Sequence, residues 1–261
     1  MEVPMETKDR HRSTQRVIDI LENIAQSGNA GLSLTELAGR LGAPKSSLFP
    51  IIHTLCENKM ISMNQQSGKY TMGYKTYELG SCYIQGDSVN ASILELMNSI
   101  TAQCRETCFF GELIYGDVFY VFKVDSPESL RMVTPGKKLP AYSSGIGKAL
   151  LSDKTLEELR QLYPEPLTLL TPNTITDLSV LYQQLQVIKA QGIAFEKEES
   201  TQFIQCVAIP IHKNGLVRAA LSVAVPVFRY SPEKEAMIIG LLKQAQIKIE
   251  MLLASNDWTH F

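Results

Sequence analysis

The residues whose types and spacing most suggest a binding or catalytic site lie near the middle of this chain, where the sequence runs Ser143-Ser-Gly-Ile-Gly-Lys148. Glycines followed by a lysine are typical of nucleotide phosphate loops, whose pattern is Gly-x-x-x-x-Gly-Lys-Ser/Thr. Here Tyr142 stands at the first glycine position and Ala149 at the hydroxyl position. Because that glycine lets the backbone curl and that hydroxyl binds magnesium, the sequence argues against nucleotide hydrolysis.

The same stretch could still bind an anion at the start of a helix. Residues 144–147 precede an apolar segment, so the unpaired backbone N–H groups of a helix N-terminus could bind a small anion there. An ordinary helix cap packed on the core fits the same residues.

Other catalytic or metal sites find little support. Cys206 and His212 would lie on one face of a strand but roughly 20 Å apart, too far for a nucleophile and its base. Neither Gly-x-Ser-x-Gly nor His-Glu-x-x-His occurs. Cys104 and Cys108 are one helical turn apart with no histidine nearby, which favours buried thiols over zinc. We therefore expect no catalysis, no metal and no cofactor.

The elements that position these residues belong to a globular chain of 261 residues with 44% hydrophobic content and a net charge of −2. An odd number of cysteines, five, argues against a disulfide framework. No run of about 18 apolar residues and no secretory signal occurs, which favours the cytoplasm. Residues 1–80 are nearly neutral, so nucleic-acid binding would depend on local placement of charge.

The N-terminal third predicts three short helices. Ser13 is expected to cap the first helix, and Ser33 and Glu36 form a capping box at the start of the second. Gly42 ends the second helix, and a tight turn leads to a third apolar periodic segment that includes Leu48 and Leu55. Residues 60–63 and 69–72 then alternate as a hairpin with a five-residue loop. This order indicates a winged helix-turn-helix, although a three-helix packing unit without DNA binding also fits.

The third helix would enter the major groove of double-stranded DNA by its N-terminal end. We expect DNA contacts from the following residues of that helix: Lys45, Ser46, Ser47, Phe49 and His53. Phosphate contacts are expected from Lys69 in the wing and from Lys8, Arg10 and Arg12 in the tail.

Pro50 conflicts with a regular third helix. Inside the helix it would remove the bond to the Ser46 carbonyl and clash with that turn, at a cost of roughly 3 kcal/mol. We therefore predict a late start, with Ser46 or Ser47 as the cap and a shortened or distorted first turn.

The rest of the chain predicts an α+β domain. Helices are expected over 74–83 and 89–106, with a bend at Gly86-Asp87, and then on both sides of Asp153, from Asp177 to Gly192, and after Ser231-Pro232. Strands are expected over 108–115, 118–125, 130–133, 193–199, 206–211 and 217–225, with Asn214-Gly215 as a hairpin turn.

Five segments in order resemble the isocitrate-lyase-regulator (IclR-type) family of bacterial transcription factors. They are Pro44-Lys-Ser-Ser-Leu-Phe-Pro-Ile-Ile-His-Thr-Leu55, Leu139-Pro-Ala-Tyr-Ser-Ser-Gly-Ile-Gly-Lys-Ala-Leu-Leu151, Leu170-Thr-Pro-Asn-Thr-Ile-Thr-Asp177, Gln205-Cys-Val-Ala-Ile-Pro210 and Ala220-Leu-Ser-Val-Ala-Val-Pro226. The resemblance covers about residues 13–255. It implies a winged helix-turn-helix, a linker helix and an effector-binding domain of the GAF/profilin-like type, assembled as homodimers or homotetramers. The expected boundaries are 1–12 for a flexible basic tail, 13–73, 74–88 and 89–261.

The resemblance also implies a ligand pocket at the start of the Gly145 helix. Its residues would be Met132, Leu139, Gly145, Ile146, Glu196, Ile204, Cys206, Ser222 and Ala224. Glu196 stands where the family often has aspartate, Ala224 where it often has serine, and Pro50 where many members direct an arginine at DNA. A small carboxylate or sugar acid would suit backbone N–H groups beside a glutamate that accepts hydrogen bonds from hydroxyls. The alternative is a metabolite sensor without sequence-specific DNA binding.

Overall fold

The computed structural model describes residues 11–85, 88–128 and 139–256. The chain divides between residues 87 and 88 into two compact units. Met132, Lys8, Arg10, the bend at Gly86-Asp87 and the strand expected over 130–133 lie outside the described residues. None of the helices in the described ranges is both long and apolar enough to cross a membrane.

The N-terminal unit contains the predicted helices and hairpin. Its elements are α1 (Arg12–Ser27), β1 (Leu32–Ser33), α2 (Leu34–Arg40), α3 (Lys45–Glu57), β2 (Ile61–Met63), β3 (Lys69–Met72) and α4 (Tyr74–Gln85). Ile24, Leu37 and Leu48, one from each of the first three helices, are fully buried in one core. Each such side chain contributes about 1.5–3 kcal/mol by leaving water, so this core holds α3 against α1 and α2.

Local signals placed most of these elements correctly. The capping box is present, because Ser33 Oγ accepts from the Glu36 N–H at 3.3 Å and the Glu36 carboxylate accepts from the Ser33 N–H at 2.7 Å. The prediction that Ser13 caps α1 was wrong: the helix begins at Arg12 with His11 before it, and no side chain caps it. Ser13 therefore lies inside the first turn.

A third strand in this unit was missed. The two residues of β1 pair antiparallel with β3, which gives the order β1-β3-β2. Gly31 permits this approach because its φ is +62° and a Cβ there would lie 2.7 Å from the Tyr70 carbonyl oxygen. Two residues are too few to produce an alternating pattern.

The described residues of the C-terminal unit form helices and one antiparallel sheet. Its elements are α5 (Ser88–Cys104), β4 (Thr107–Ile114), β5 (Asp117–Val124), β6 (Leu139–Pro140), α6 (Gly145–Leu151), α7 (Leu156–Leu162), α8 (Leu178–Gln191), β7 (Ala194–Lys197), β8 (Ile204–Lys213), β9 (Leu216–Pro226) and α9 (Pro232–Ser255). The six strands of these ranges follow the order β6-β5-β4-β9-β8-β7 in the sheet. The α+β class is confirmed. The predicted caps of α8 (Asp177 and Gly192) and of α9 (Ser231) are also confirmed.

Each face of the sheet carries its own core. Alternate residues of β8 and β9, such as Ile209 and Val223, pack with α5 and α9 on one face. The intervening small residues, such as Ala208 and Ala220, pack with α6, α7 and α8 on the other. Small side chains let α6 approach the sheet closely, and all seven residues of α6 are buried.

Candidate functional site

The first candidate surface is the N-terminal half of α3. Each α3 residue predicted to contact DNA has an exposed side chain, while Leu48 and Ile52 on the opposite side are buried. Phe49 is 54% exposed, and its ring centroid lies 6.2 Å from that of His53. Amphipathic packing therefore turns these polar and aromatic residues to solvent together.

Pro50 lies inside α3, and the predicted late start was wrong. The helix begins at Lys45, directly after Pro44, whose backbone is extended at φ −60° and ψ 139°. The Pro44 carbonyl accepts from the Ser47 N–H at 3.0 Å and from its hydroxyl at 2.8 Å. Pro50 has no N–H for the Ser46 carbonyl. Because both residues are exposed, water can satisfy that carbonyl.

Two charged neighbours complete this surface. Arg16 of α1 donates to Ser47 Oγ at 3.4 Å, a contact that the sequence did not indicate because 31 residues separate the partners. In the wing, Lys69 Nζ lies 3.7 Å from Glu36 Oε1 with both side chains partly exposed. Such a surface ion pair is weak, so Lys69 can exchange Glu36 for another anion.

The second candidate site lies where α6 meets the sheet. Ser144 caps α6, since its Oγ accepts from the Gly147 N–H at 3.1 Å. Gly147 has no room for a side chain, because a Cβ would lie 2.1 Å from the Ala141 carbonyl oxygen. A Cβ on Gly145 would likewise lie too close to the sheet, 2.9 Å from the Cβ of Cys206. The glycines of the motif therefore allow α6 to pack closely against β8 and the preceding turn.

A small pocket opens at the start of α6. It is lined by Phe109, Tyr120, Leu139, Ser144, Gly145, Ile146, Ser200, Thr201, Ile204, Cys206, Ser222 and Ala224. Seven of the nine residues predicted for a ligand pocket are among them. The free space between these walls is about 20 Å³, which holds roughly one water molecule. A larger ligand therefore requires the wall to move outward.

The sequence missed four lining residues. Phe109 and Tyr120 come from the neighbouring strands β4 and β5, and their ring centroids are 5.0 Å apart. Because side chains along a strand alternate between the two faces of a sheet, the sequence could have assigned Phe109 and Tyr120 to the pocket face. Ser200 and Thr201 belong to the turn between β7 and β8, whose position depends on distant contacts.

Glu196 lies behind the pocket wall and does not line it. Its side chain is 1% exposed, and its Oε1 accepts from the N–H groups of Glu199 at 2.5 Å and Ser200 at 3.1 Å. Burial raises the pKa of Glu196, and the backbone hydrogen bonds oppose that rise. Its position therefore suits it to shape the turn beside the pocket.

Lys148, the lysine that resembles that of a phosphate loop, is completely buried. Its Nζ lies 2.5 Å from both carboxylate oxygens of Glu199. Burial lowers the pKa of Lys148, and the Glu199 carboxylate opposes that shift. A lysine that is already neutralised in this way offers no free positive charge to a phosphate.

The residues considered for catalysis lie apart. Cys206 lines the pocket, whereas His212 is at the far end of β8 with its Nδ1 2.9 Å from Glu250 Oε1. Burial raises the pKa of the Cys206 thiol, which disfavours the reactive thiolate. Cys104 and Cys108 are buried free thiols, as predicted.

Comparison with known proteins identifies the family. Residues 13–62 match the IclR helix-turn-helix domain, and residues 82–251 match the domain described as bacterial transcriptional regulator IclR C-terminal. The HTH-type transcriptional regulator KdgR of Escherichia coli K12 is 28% identical over 257 residues, covering 96% of this chain and 95% of KdgR. BhcR of Paracoccus denitrificans, also an HTH-type transcriptional regulator, is 31% identical over 239 residues, covering 90% and 85%.

Solved structures share the fold. The IclR transcriptional regulator of Alicyclobacillus acidocaldarius matches with a TM-score of 0.83 and 23% identity, over 93% of this chain and 98% of that one. An IclR homologue of Microbacterium hydrocarbonoxydans, solved with 4-hydroxybenzoate, matches with a TM-score of 0.79 and 21% identity, over 94% and 100%. The protein therefore belongs to the IclR family of bacterial transcriptional regulators, which join a helix-turn-helix DNA-binding domain to a C-terminal effector-binding domain.

Proposed function

We propose that the N-terminal unit reads operator DNA with the first half of α3. The observation that carries this proposal is the common exposure of Lys45, Ser47 and His53 on the side of α3 opposite its buried residues. Lys45 and Ser47 at the N-terminal end suit phosphates and base edges, and Lys69 on the wing suits a phosphate. Arg16 joins this set because it bonds to Ser47.

Footprinting on the protein's own upstream DNA provides the operator, and titration of that DNA then tests α3. We expect Lys45→Ala together with Ser47→Ala to weaken binding at least tenfold and to lower the salt dependence by about one counterion. Lys189→Ala, which removes an exposed lysine from α8, is the matched control. Equal operator affinity in the double variant and the control would contradict the proposed interface.

The pocket at the start of α6 is proposed as the effector site, for a small carboxylate or sugar acid. The first turn of α6 offers backbone N–H groups to a carboxylate. Hydroxyls of Ser200, Thr201 and Ser222 suit hydroxyl groups of the ligand, and Phe109 supplies an apolar wall. The bound 4-hydroxybenzoate of the Microbacterium homologue is also a carboxylate.

A thermal-shift comparison tests this ligand class. D-gluconate, hexanoate and D-glucose separate the contributions of the carboxylate and of the hydroxyl groups. We expect D-gluconate to raise the Tm most and D-glucose not to raise it. Stabilisation by neutral D-glucose and by neither acid would refute the carboxylate proposal.

The remaining parts of the proposal concern domains, assembly and location. We infer a basic tail over 1–12, a DNA-binding domain over 13–73, a linker helix over 74–88 and an effector domain over 89–261. A homodimer or homotetramer in the cytoplasm, without catalytic activity, agrees with relatives that are named as transcriptional regulators. Light scattering measures the assembly, and incubation with candidate effectors distinguishes saturable binding from turnover.

A further inference from the structure

The turn between β7 and β8, residues 198–203, forms one side of the pocket. Ser200 and Thr201 line the cavity, while Thr201 and Phe203 are exposed to solvent. Glu198 and Phe203 have positive φ angles of 58° and 66°. Such a backbone is unfavourable for residues other than glycine and persists when surrounding contacts hold it.

Those contacts converge on the first half of the turn. Glu196 accepts from the backbone N–H groups of Glu199 and Ser200. The carbonyl oxygen of Glu199 accepts from the hydroxyls of Thr174 at 2.6 Å and Thr171 at 3.2 Å. Hydrogen bonds therefore hold both the N–H group and the carbonyl oxygen of Glu199.

The side chain of Glu199 pairs with a lysine of another element, α6. Lys148 reaches it from α6, and both side chains are buried: the side chain of Lys148 is 0% and that of Glu199 is 9% exposed. Without Lys148, the Glu199 carboxylate would be a buried charge without its cation, which is strongly unfavourable. The carboxylate would then turn toward solvent, and the turn would lose this link to α6.

We propose that Lys148 is a positioning residue for the pocket: by pairing with Glu199 it holds Ser200 and Thr201 in the pocket wall without lining the pocket itself. This inference rests on the proposed function only in taking the pocket as the effector site. The affinity of the pocket for a hydroxylated ligand then depends on an ion pair behind its wall.

Hydrogen exchange of the ligand-free protein tests the positioning role. We expect amides of residues 199–203 to exchange at least tenfold faster in Lys148→Met than in wild type, with Lys189→Met as the control. Lys148→Met with Glu199→Gln removes both charges of the buried pair, so it remains testable if the single variant does not fold. Wild-type exchange in the turn of a folded variant, or equal acceleration in β4, would overturn the proposal.

Titration with two six-carbon acids tests the consequence for binding. We expect the double variant to bind D-gluconate at least tenfold more weakly than wild type and hexanoate less than threefold more weakly, because hexanoate has no hydroxyls for the turn. Equal losses for the two acids would overturn the proposal. If wild type binds neither acid, the proposed ligand class fails, while the exchange result still decides the role of Lys148.

Discussion

Replacing Glu112 with glutamine should make the stability of the C-terminal unit much less sensitive to pH. Glu112 lies on β4 and is 1% exposed, and neither carboxylate oxygen has a hydrogen-bond partner among the described residues. Burial raises its pKa from 4.5 to about 8. At pH 7 the folded protein therefore holds a neutral carboxylic acid at this position.

The direction of the pH effect follows from proton binding. Between pH 4.5 and 8 the unfolded chain has lost the Glu112 proton and the folded protein has kept it, so the free energy of unfolding falls as the pH rises. Each pH unit in this range lowers it by about 1.4 kcal/mol. From pH 5 to pH 9 the loss amounts to about 4 kcal/mol.

Glutamine keeps the size of the side chain and cannot ionise. We expect Glu112→Gln to match wild type within about 1 kcal/mol at pH 5 and to be more stable by about 4 kcal/mol at pH 9. Guanidinium unfolding of the full chain, followed by circular dichroism at pH 5, 7 and 9, measures the difference. Glu165→Gln removes an exposed carboxylate and is the control. A constant difference across the three pH values would refute the reasoning.

Three further substitutions test packing and helix geometry. Gly147→Ala places a Cβ 2.1 Å from the Ala141 carbonyl oxygen, so we expect the free energy of unfolding to fall by about 3 kcal/mol or more. Gly240 lies inside α9 with open space around its Cα, so Gly240→Ala should instead raise the free energy of unfolding by about 1 kcal/mol. Pro50→Ala restores the N–H that can bond to the Ser46 carbonyl, so the N-terminal unit should gain up to about 3 kcal/mol. An unchanged thermal midpoint of that unit would show that α3 already accommodates the proline at no cost.

Features set by neighbouring residues were predicted well from the sequence. The capping box at Ser33 and the Asn214-Gly215 turn depend on residues within four positions of each other. Asn214 and Gly215 indeed have positive φ angles of 55° and 76°. Pro50 misled the prediction because its local cost was taken as decisive, whereas the packing of Leu48 and Ile52 holds the helix in place.

The candidate pocket was only partly predictable, because part of its wall is positioned by contacts between residues that are distant in the sequence. The family resemblance supplied Cys206, Ser222 and Ala224, and the pairing of β8 with β9 places these residues on one face of the sheet. No such periodicity applies to the turn that carries Ser200 and Thr201. Its position depends on hydrogen bonds to residues 25 or more positions away, which a single sequence does not reveal.

The Ser143–Lys148 stretch shows why similar residue types can serve different chemistry. In a phosphate loop the glycine backbone and the lysine face the ligand. Here the backbone at Gly147 packs against Ala141, its N–H is taken by Ser144, and Lys148 is neutralised by Glu199 inside the protein. Of this stretch, Ser144, Gly145 and Ile146 line the pocket. In the proposed arrangement the lysine acts on the pocket through the protein's own carboxylate, and this role requires no phosphate.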